Sequence, residues 1–256
     1  MVWTVWVFVV GLCFGSFANV LIYRLPRKMS VITPASACVA CGKFILPYNL
    51  LPLVSWVMLR GRCKHCHTKI SKRYPIVELT CGLLFAGMVL LTPTLSAIFL
   101  SIFAFLLLTV SFIDSDTQQI PDCLLVIATI VGVIWVVLGH YFLIFPLTPG
   151  FIDAGLGILL GGMTLLILDR LTMMLYKKDG FGYGDVKLMA VAGLFLGWQL
   201  VCIAFFFAFI TGGIYATALL ATGHAKRNEY IAFGPFLCTG IIFALWFGRA
   251  LLEIII

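Results

Sequence analysis

Two aspartates that border apolar segments are the side chains best suited to acid–base chemistry in this sequence. Asp114 follows an apolar run that ends at Ile113, and Asp185 ends the motif Gly180-Phe181-Gly182-Tyr183-Gly184-Asp185, just before another apolar run. A carboxylate at the edge of a membrane is costly, so its presence there indicates a function. If the two side chains face each other, one can act as a general base on water and the other as a general acid.

Residues around these aspartates are expected to support them. We interpret Asp116 as a solvated or supporting carboxylate, and we expect Gly182 and Gly184 to let the backbone bend and a substrate strand approach Asp185 closely. The alternative is that the acidic residues are helix caps and solvated loop residues. Asp122, which follows a proline at the start of a predicted helix, suits such a capping or dipole role.

Two further acidic residues need partners. Glu78 lies inside an apolar run, and we predict that Lys72 or Arg73 pairs with it at the membrane interface. Asp169 and Arg170 are predicted to neutralise each other near a helix end.

Four cysteines form two C-x-x-C pairs within a basic segment: Cys38, Cys41, Cys63 and Cys66. Each C-x-x-C turn can supply two thiolate ligands, and two such turns together supply the four ligands of a tetrahedral site for a metal such as zinc. A closed shell of four thiolates favours a structural role, and the metal would help a small segment to fold. The alternatives are four unrelated reduced thiols, or a site in which His65 or His67 replaces a cysteine.

The composition excludes an ordinary soluble protein. Of 256 residues, 62% are hydrophobic and 11% are charged, whereas soluble domains are about 45–50% apolar and about 25% charged. Ten of the 17 Lys and Arg residues lie between Arg24 and Arg73, and most of the others flank apolar runs. Basic loops of this kind mark the cytoplasmic side of a membrane protein. The net charge of +7 is therefore explained by basic residues in cytoplasmic loops. We predict no binding to nucleic acid.

The sequence predicts an all-α polytopic membrane protein with about eight transmembrane helices. Residues 1–23 form the first helix, an uncleaved anchor with its N-terminus outside; residues 24–74 form a cytoplasmic four-cysteine domain; and residues 75–256 form a seven-helix membrane catalytic domain. The predicted apolar runs are Val2–Tyr23, Pro75–Leu91, Leu95–Ile113, Cys123–Leu138, Phe151–Tyr176, Val186–Trp198, Leu200–Ala221 and Pro235–Ile256. This count places both Asp114 and Asp185 at the cytoplasmic face.

These motifs together resemble one family along nearly the full length. The matching stretches are Gly15–Pro26, the two C-x-x-C pairs, Gly61–Cys63, Ile70–Leu79, the D-x-D stretch from Asp114, Gly180–Leu188 and Phe233–Pro235. Each motif is weak alone, but their order and spacing are specific. The chain resembles the prepilin peptidases, or type IV leader peptidases, which are GxGD membrane aspartic proteases.

The resemblance implies a concrete activity. Such enzymes cut the basic leader from prepilins and pseudopilins after a glycine, at the cytoplasmic face of the bacterial inner membrane. Many then methylate the new N-terminal residue with S-adenosylmethionine. By the same resemblance, Asp114 and Asp185 are the catalytic pair, Gly61 is associated with methyl transfer, and Cys38, Cys41, Cys63 and Cys66 bind zinc.

Two other functions are compatible with parts of the sequence. One is a related membrane aspartic protease without methyl transfer. The other is a transporter whose intramembrane carboxylates bind a cation or relay protons, although such sites lie near the bilayer midplane and use broken helices.

Overall fold

A computed structural model describes residues 2–92, 94–142, 147–177, 180–223 and 231–255, and almost all of them are helical or in short turns. The helices are α1 (Val2–Arg24), α2 (Val54–Met58), α3 (Arg73–Leu91), α4 (Thr94–Thr117), α5 (Asp122–Phe142), α6 (Phe151–Tyr176), α7 (Tyr183–Ala221) and α8 (Gly234–Ile255), with a 3₁₀ turn at Pro47–Leu50. Within these ranges, β-pairing is limited to two isolated bridges.

The chain divides into two compact units, and the division falls within α4. The first unit is Met1–Thr109 and the second is Val110–Ile256. Among the described residues, seven helices are long and apolar enough to cross a membrane. The protein is therefore a multi-pass membrane protein, as the composition predicts.

Glycines bring α1 and α3 together in the first unit. A Cβ atom added to Gly15 would lie 2.6 Å from the Cα atom of Glu78, and one added to Gly11 would lie 2.8 Å from the Cα atom of Gly82. Within a membrane, such small residues four apart let two helix backbones approach and gain van der Waals contact. The same contact places Glu78 beside α1.

In the second unit, glycines likewise allow α6 and α7 to pack closely. The backbones of Gly157 and Gly193 are in direct contact, and Gly161 lies against the backbone of Met189. The pairing runs in opposite directions along the two helices, so the start of α7 lies beside the end of α6. This arrangement positions the loop that carries the Gly180–Asp185 motif.

Helix α7 reverses direction at Gly197. Its φ of 72° and ψ of 173° are not helical, and residues with a side chain rarely adopt them. The rings of Phe181 and Phe209 lie 6.3 Å apart, whereas a continuous helix would separate these positions by about 40 Å. The two arms of α7, residues 183–196 and 198–221, correspond to the two runs predicted on either side of residue 199. Counting both arms gives eight apolar helical segments, which confirms the predicted fold class.

The α6–α7 contact predicts that two neighbouring glycines of α6 differ in their tolerance of a side chain. Gly157→Val forces the helices apart and lowers the free energy of unfolding by about 1–3 kcal/mol, the usual penalty for overpacking. Gly155→Val is the matched control, since no atom lies within 4 Å of its added Cβ. Thermal unfolding of the purified protein measures the difference, and equal melting temperatures would contradict the packing described here.

Candidate active site and metal centre

Asp114 is held by the backbone at the start of α8. The residue lies in the last turn of α4 and is 5% exposed. Its Oδ2 atom accepts a hydrogen bond from the N–H of Gly234 at 3.0 Å. A Cβ atom on residue 234 would fall 2.6 Å from the same oxygen. Glycine is therefore required at this position for the carboxylate to reach the backbone donor.

Asp185 lies in the first turn of α7 and is 8% exposed. Its Oδ2 atom accepts a hydrogen bond from the N–H of Gly182, the residue before the helix, at 3.3 Å. An acidic side chain in this position satisfies a free N–H and suits the positive end of the helix dipole. The other oxygen, Oδ1, is buried without a hydrogen-bond partner among the described residues. One oxygen of Asp185 is thus left for a proton or a ligand.

The two carboxylates lie in the same unit and close enough to repel each other electrostatically. The thiol of Cys238, which is 2% exposed, lies within electrostatic range of both. The fold therefore brings together the two aspartates that sequence analysis singled out.

Neither glycine of the motif has a backbone conformation that requires glycine, and only Gly184 is required by close packing. Gly182 has a φ of −74°, which any residue can adopt. Gly184 lies within helix α7 and leaves room for Ile120, since an added Cβ would lie 3.0 Å from the Cβ atom of Ile120. At Gly182 the nearest side-chain atom to an added Cβ is 3.6 Å away, at Asp185. A side chain at position 182 would therefore make ordinary van der Waals contact with the Asp185 carboxylate.

The neighbouring acidic residues differ from the pair in exposure. Asp116 is exposed, consistent with a solvated or supporting residue. Asp122 is the first residue of α5 and forms an ion pair with Lys187 at 2.7 Å. Both partners are largely exposed, and ion pairs of this kind contribute about 0–1 kcal/mol to stability.

Asp169 holds the loop before α7, and its predicted pairing with Arg170 is wrong. Its Oδ1 atom accepts hydrogen bonds from the N–H groups of Gly180 at 2.9 Å and Phe181 at 3.2 Å. Adjacent residues of a helix point in different directions, so Asp169 faces the loop and not Arg170. This side chain fixes the first two residues of the Gly180–Asp185 motif.

An aromatic contact joins this loop to the segment that supports Asp114. The ring of Phe181 packs at 5.2 Å from that of Phe233, the residue before Gly234, and both rings contact Phe209. Neither Gly234 nor Asp169 was predicted from the sequence to have a role in the site. The stretch Phe233–Pro235 was recognised as a motif. The role of Gly234 was not predicted, because it acts through its backbone N–H and has no reactive side chain.

The metal centre lies in the first unit. The Sγ atoms of Cys38, Cys41, Cys63 and Cys66 all lie within 4.8 Å of one another, and those of Cys38 and Cys66 are 3.8 Å apart. Tetrahedral zinc with Zn–S bonds of about 2.3 Å requires sulfurs about 3.8 Å apart. The four thiols fit zinc. No histidine belongs to this group among the described residues.

The two C-x-x-C turns have the same pattern of backbone hydrogen bonds and φ angles. The N–H of Cys38 donates to the carbonyl of Lys43, and the N–H of Cys63 donates to that of Thr68, both at 2.9 Å. The residue after each second cysteine has a positive φ: 68° at Gly42 and 56° at His67. His67 therefore occupies a turn position and is not a ligand.

Local hydrogen bonds prepare one of these thiols for a metal. The pKa of Cys66 is lowered to about 6 by its contacts with the hydroxyl and the backbone of Thr68. The thiolate is the form that binds a metal.

Gly61 is required by the backbone. Its φ is 65°, and an added Cβ would lie 2.8 Å from the indole of Trp56. Its carbonyl accepts a hydrogen bond from the N–H of Ile70 at 2.7 Å, which closes the second cysteine turn. The indole of Trp56 fills the space where a side chain of residue 61 would lie, so no part of S-adenosylmethionine fits there. Two cavities lined by described residues, of about 410 and 520 Å³, lie in the second unit.

Glu78 does not pair with Lys72 or Arg73, so that prediction is wrong. It is 7% exposed, and its Oε2 atom accepts a hydrogen bond from the N–H of Leu53 at 2.8 Å. Ser16 of α1 lies near the same carboxylate. Because α3 turns Glu78 toward α1, its carboxylate meets these groups and not the basic residues at the start of its own helix.

Comparison with known proteins agrees with this arrangement. Residues 9–92 match the Bacterial Peptidase A24 N-terminal domain, and residues 100–217 match the Type IV leader peptidase family. Three similar curated proteins are each named prepilin leader peptidase/N-methyltransferase. The one from Aeromonas salmonicida is 34% identical, covering 94% of this chain and 89% of its own length; that from Stutzerimonas stutzeri is 34% identical, covering 93% and 89%; and that from Pseudomonas aeruginosa is 34% identical, covering 92% and 88%. No solved structure matches.

The chain belongs to the type IV leader peptidase family. Its recognition from the sequence motifs is thereby confirmed.

The cysteine geometry predicts that the purified protein binds one zinc ion and that Cys63→Ser removes it. Loss of a ligand from a closed four-thiolate shell weakens binding and destabilises the segment that depends on it. Elemental analysis measures the zinc content. Cys202→Ser is the control, since Cys202 is an exposed cysteine of α7 outside the cluster. Equal zinc content in the two variants would contradict the site.

Proposed function

We propose that this protein is a membrane aspartic endopeptidase that removes the basic leader of type IV prepilins or pseudopilins after a glycine, and then N-methylates the new N-terminal residue. The observation that carries the proposal is the burial of Asp114 and Asp185 together at one site of the second unit. Membership of the family and the names of its relatives support the substrate and both activities.

The carboxylate pair suits hydrolysis of a peptide bond. One carboxylate takes a proton from water as the water oxygen attacks the carbonyl carbon, while the other, protonated, donates to the carbonyl oxygen. The carboxylic acid formed in the first step then donates its proton to the amide nitrogen and the C–N bond breaks, while the other carboxylate takes back the proton of one hydroxyl group as the carbonyl re-forms. We expect the two carboxyl groups to share a single proton in the active enzyme, and such a pair titrates as a unit.

The surroundings of Asp185 suit a glycine in the substrate. An added Cβ at Gly182 would already contact the Asp185 carboxylate, so the site is crowded, and Oδ1 of Asp185 has no described partner. A substrate residue without a Cβ atom can bring its carbonyl closest to such a crowded pair. The basic leader would remain in water while the apolar helix of the substrate lies among lipids.

The charge pattern supports an orientation with the site at the cytoplasmic face of the inner membrane. Ten of the 17 basic residues lie from Arg24, the last residue of α1, to Arg73, the first residue of α3. The positive-inside rule assigns this segment to the cytoplasm. We propose that residues 24–74 form a four-cysteine domain there, stabilised by zinc, and that residues 75–256 form the catalytic domain.

Methyl transfer with S-adenosylmethionine as donor is supported by the relatives' names. The structure adds that Gly61 is needed for its own turn, since both its φ and Trp56 exclude a side chain. A defect in Gly61→Ala would therefore act through the shape of this turn.

Asp114→Asn and Asp185→Asn are each predicted to lower the cleavage rate by at least about 10²–10⁴-fold, because each removes one partner of the acid–base pair. Asp116→Asn, at an exposed acidic residue, retains most of the activity. The measurement is mass spectrometry of a prepilin incubated with the protein and S-adenosylmethionine in membranes. Near-normal cleavage by Asp185→Asn would refute the mechanism.

The same measurement separates the alternatives. Loss of the leader with one added methyl group supports both activities, and cleavage without the methyl group supports the protease alone. A folded, zinc-loaded protein that cleaves no prepilin would favour the transporter.

Gly234→Ala tests the support of Asp114. The new methyl group would occupy the position of the Asp114 carboxylate, and cleavage should fall by at least about 10-fold because a small displacement of a catalytic group is costly. Gly213→Ala is the control, since no atom lies within 4 Å of its added Cβ. Cleavage kinetics compare the two variants, and equal rates would exclude the proposed role of Gly234.

A further inference from the structure

The turn between the two cysteine pairs carries an exposed apolar face. Leu51, Val54, Val57 and Met58 are 54%, 52%, 66% and 78% exposed. Val57 and Met58 lie three and four residues after Val54 in α2, and so the three occupy neighbouring positions on its surface, whereas Leu51 precedes the helix. Ser55 of the same helix is buried. We call residues 50–58 the apolar turn. A set of neighbouring exposed apolar side chains indicates an interaction surface.

A hydrogen bond fixes the depth of this turn relative to α3. The N–H of Leu53 donates to Glu78, whose Cα atom lies about 7 Å along the helix axis from the basic end of α3 at Arg73. On the other side, Glu78 packs against Gly15, about 13 Å along α1 from Arg24. Arg24 and Arg73 mark the ends of two membrane-spanning segments. The backbone of the apolar turn therefore reaches below the basic ends of both helices.

Basic residues follow the apolar face directly. Arg60, Arg62 and Lys64 are exposed, and the ammonium of Lys64 lies 5.3 Å from the ring centre of Tyr48. An apolar face next to cationic side chains suits the boundary between acyl chains and anionic headgroups.

We propose that the apolar turn inserts into the membrane leaflet on the side of Arg24 and Arg73, with Leu51, Val54, Val57 and Met58 in contact with lipid. The bilayer is the occupant that the geometry favours, because the hydrogen bond to Glu78 holds this turn beside a membrane-spanning helix, below its basic end. Interfacial helices bury their apolar face about 5–10 Å into this boundary, which agrees with the depth set by Glu78. The backbone remains satisfied because Leu53 donates to Glu78 and the hydroxyl of Ser55 donates to the carbonyl of Tyr48.

Insertion has a consequence for the second cysteine turn. Gly61 follows Met58 by three residues, and its N–H donates to the carbonyl of Trp56 at 2.8 Å. The apolar turn thus fixes Gly61 and the adjoining metal centre at the membrane surface. This inference rests on the first unit alone and is independent of the proposed reaction.

Fluorescence quenching by lipid tests the proposal in the full-length protein. An environment-sensitive fluorescent amino acid replaces Val57 in one variant and Val39 in the other, and each protein is reconstituted in nanodiscs containing lipids brominated at a shallow acyl position. Val39 is the matched control, a valine of the first cysteine turn that is 75% exposed. Retained zinc content shows that each variant is folded.

We expect a large loss of emission at position 57 and no loss at position 39. No quenching at either position, or equal quenching at both, would overturn the proposal. A blue-shifted but unquenched signal at position 57 would mean that protein, and not lipid, covers this face, and would also overturn it.

Discussion

Two carboxylates buried beside each other impose the main constraint on this structure. Each favours water over an apolar interior, and each repels the other, so the fold must supply hydrogen bonds that hold them. Backbone N–H groups at the ends of helices supply these bonds, from Gly234 to Asp114 and from Gly182 to Asp185. Both donors lie on segments whose positions depend on close helix packing, which links the candidate site to the whole second unit.

The reversal of α7 at Gly197 makes this convergence possible. It returns the second arm to the level of the Gly180–Asp185 loop, where Phe209 meets Phe181 and Phe233. Asp169 holds the same loop from α6 through the N–H groups of Gly180 and Phe181. The supports of Asp114 and Asp185 are therefore parts of one packed cluster, which explains why glycine and aromatic residues surround a site whose chemistry belongs to carboxylates.

The sequence predicted the features that follow from composition and side-chain chemistry. Apolar runs indicated about eight helices, and cysteine spacing indicated the four-thiol cluster that the structure assembles. The partners of buried charges could not be predicted, because they are backbone N–H groups brought near by folding: Leu53 for Glu78, and Gly180 and Phe181 for Asp169. The role of Gly234 was hidden for the same reason, since a close contact across 120 residues leaves no local pattern.

The pH dependence of leader cleavage tests the central claim most directly, because it reports the protonation of the two carboxylates during the reaction. With the wild-type protein in membranes, kcat/KM for a prepilin should follow a bell-shaped curve, since a pair that shares one proton is inactive when both groups are protonated or both are charged. The contrary result is a kcat/KM that falls only at low pH, only at high pH, or at neither, over the pH range in which the protein stays folded. That result would contradict catalysis by Asp114 and Asp185 acting together.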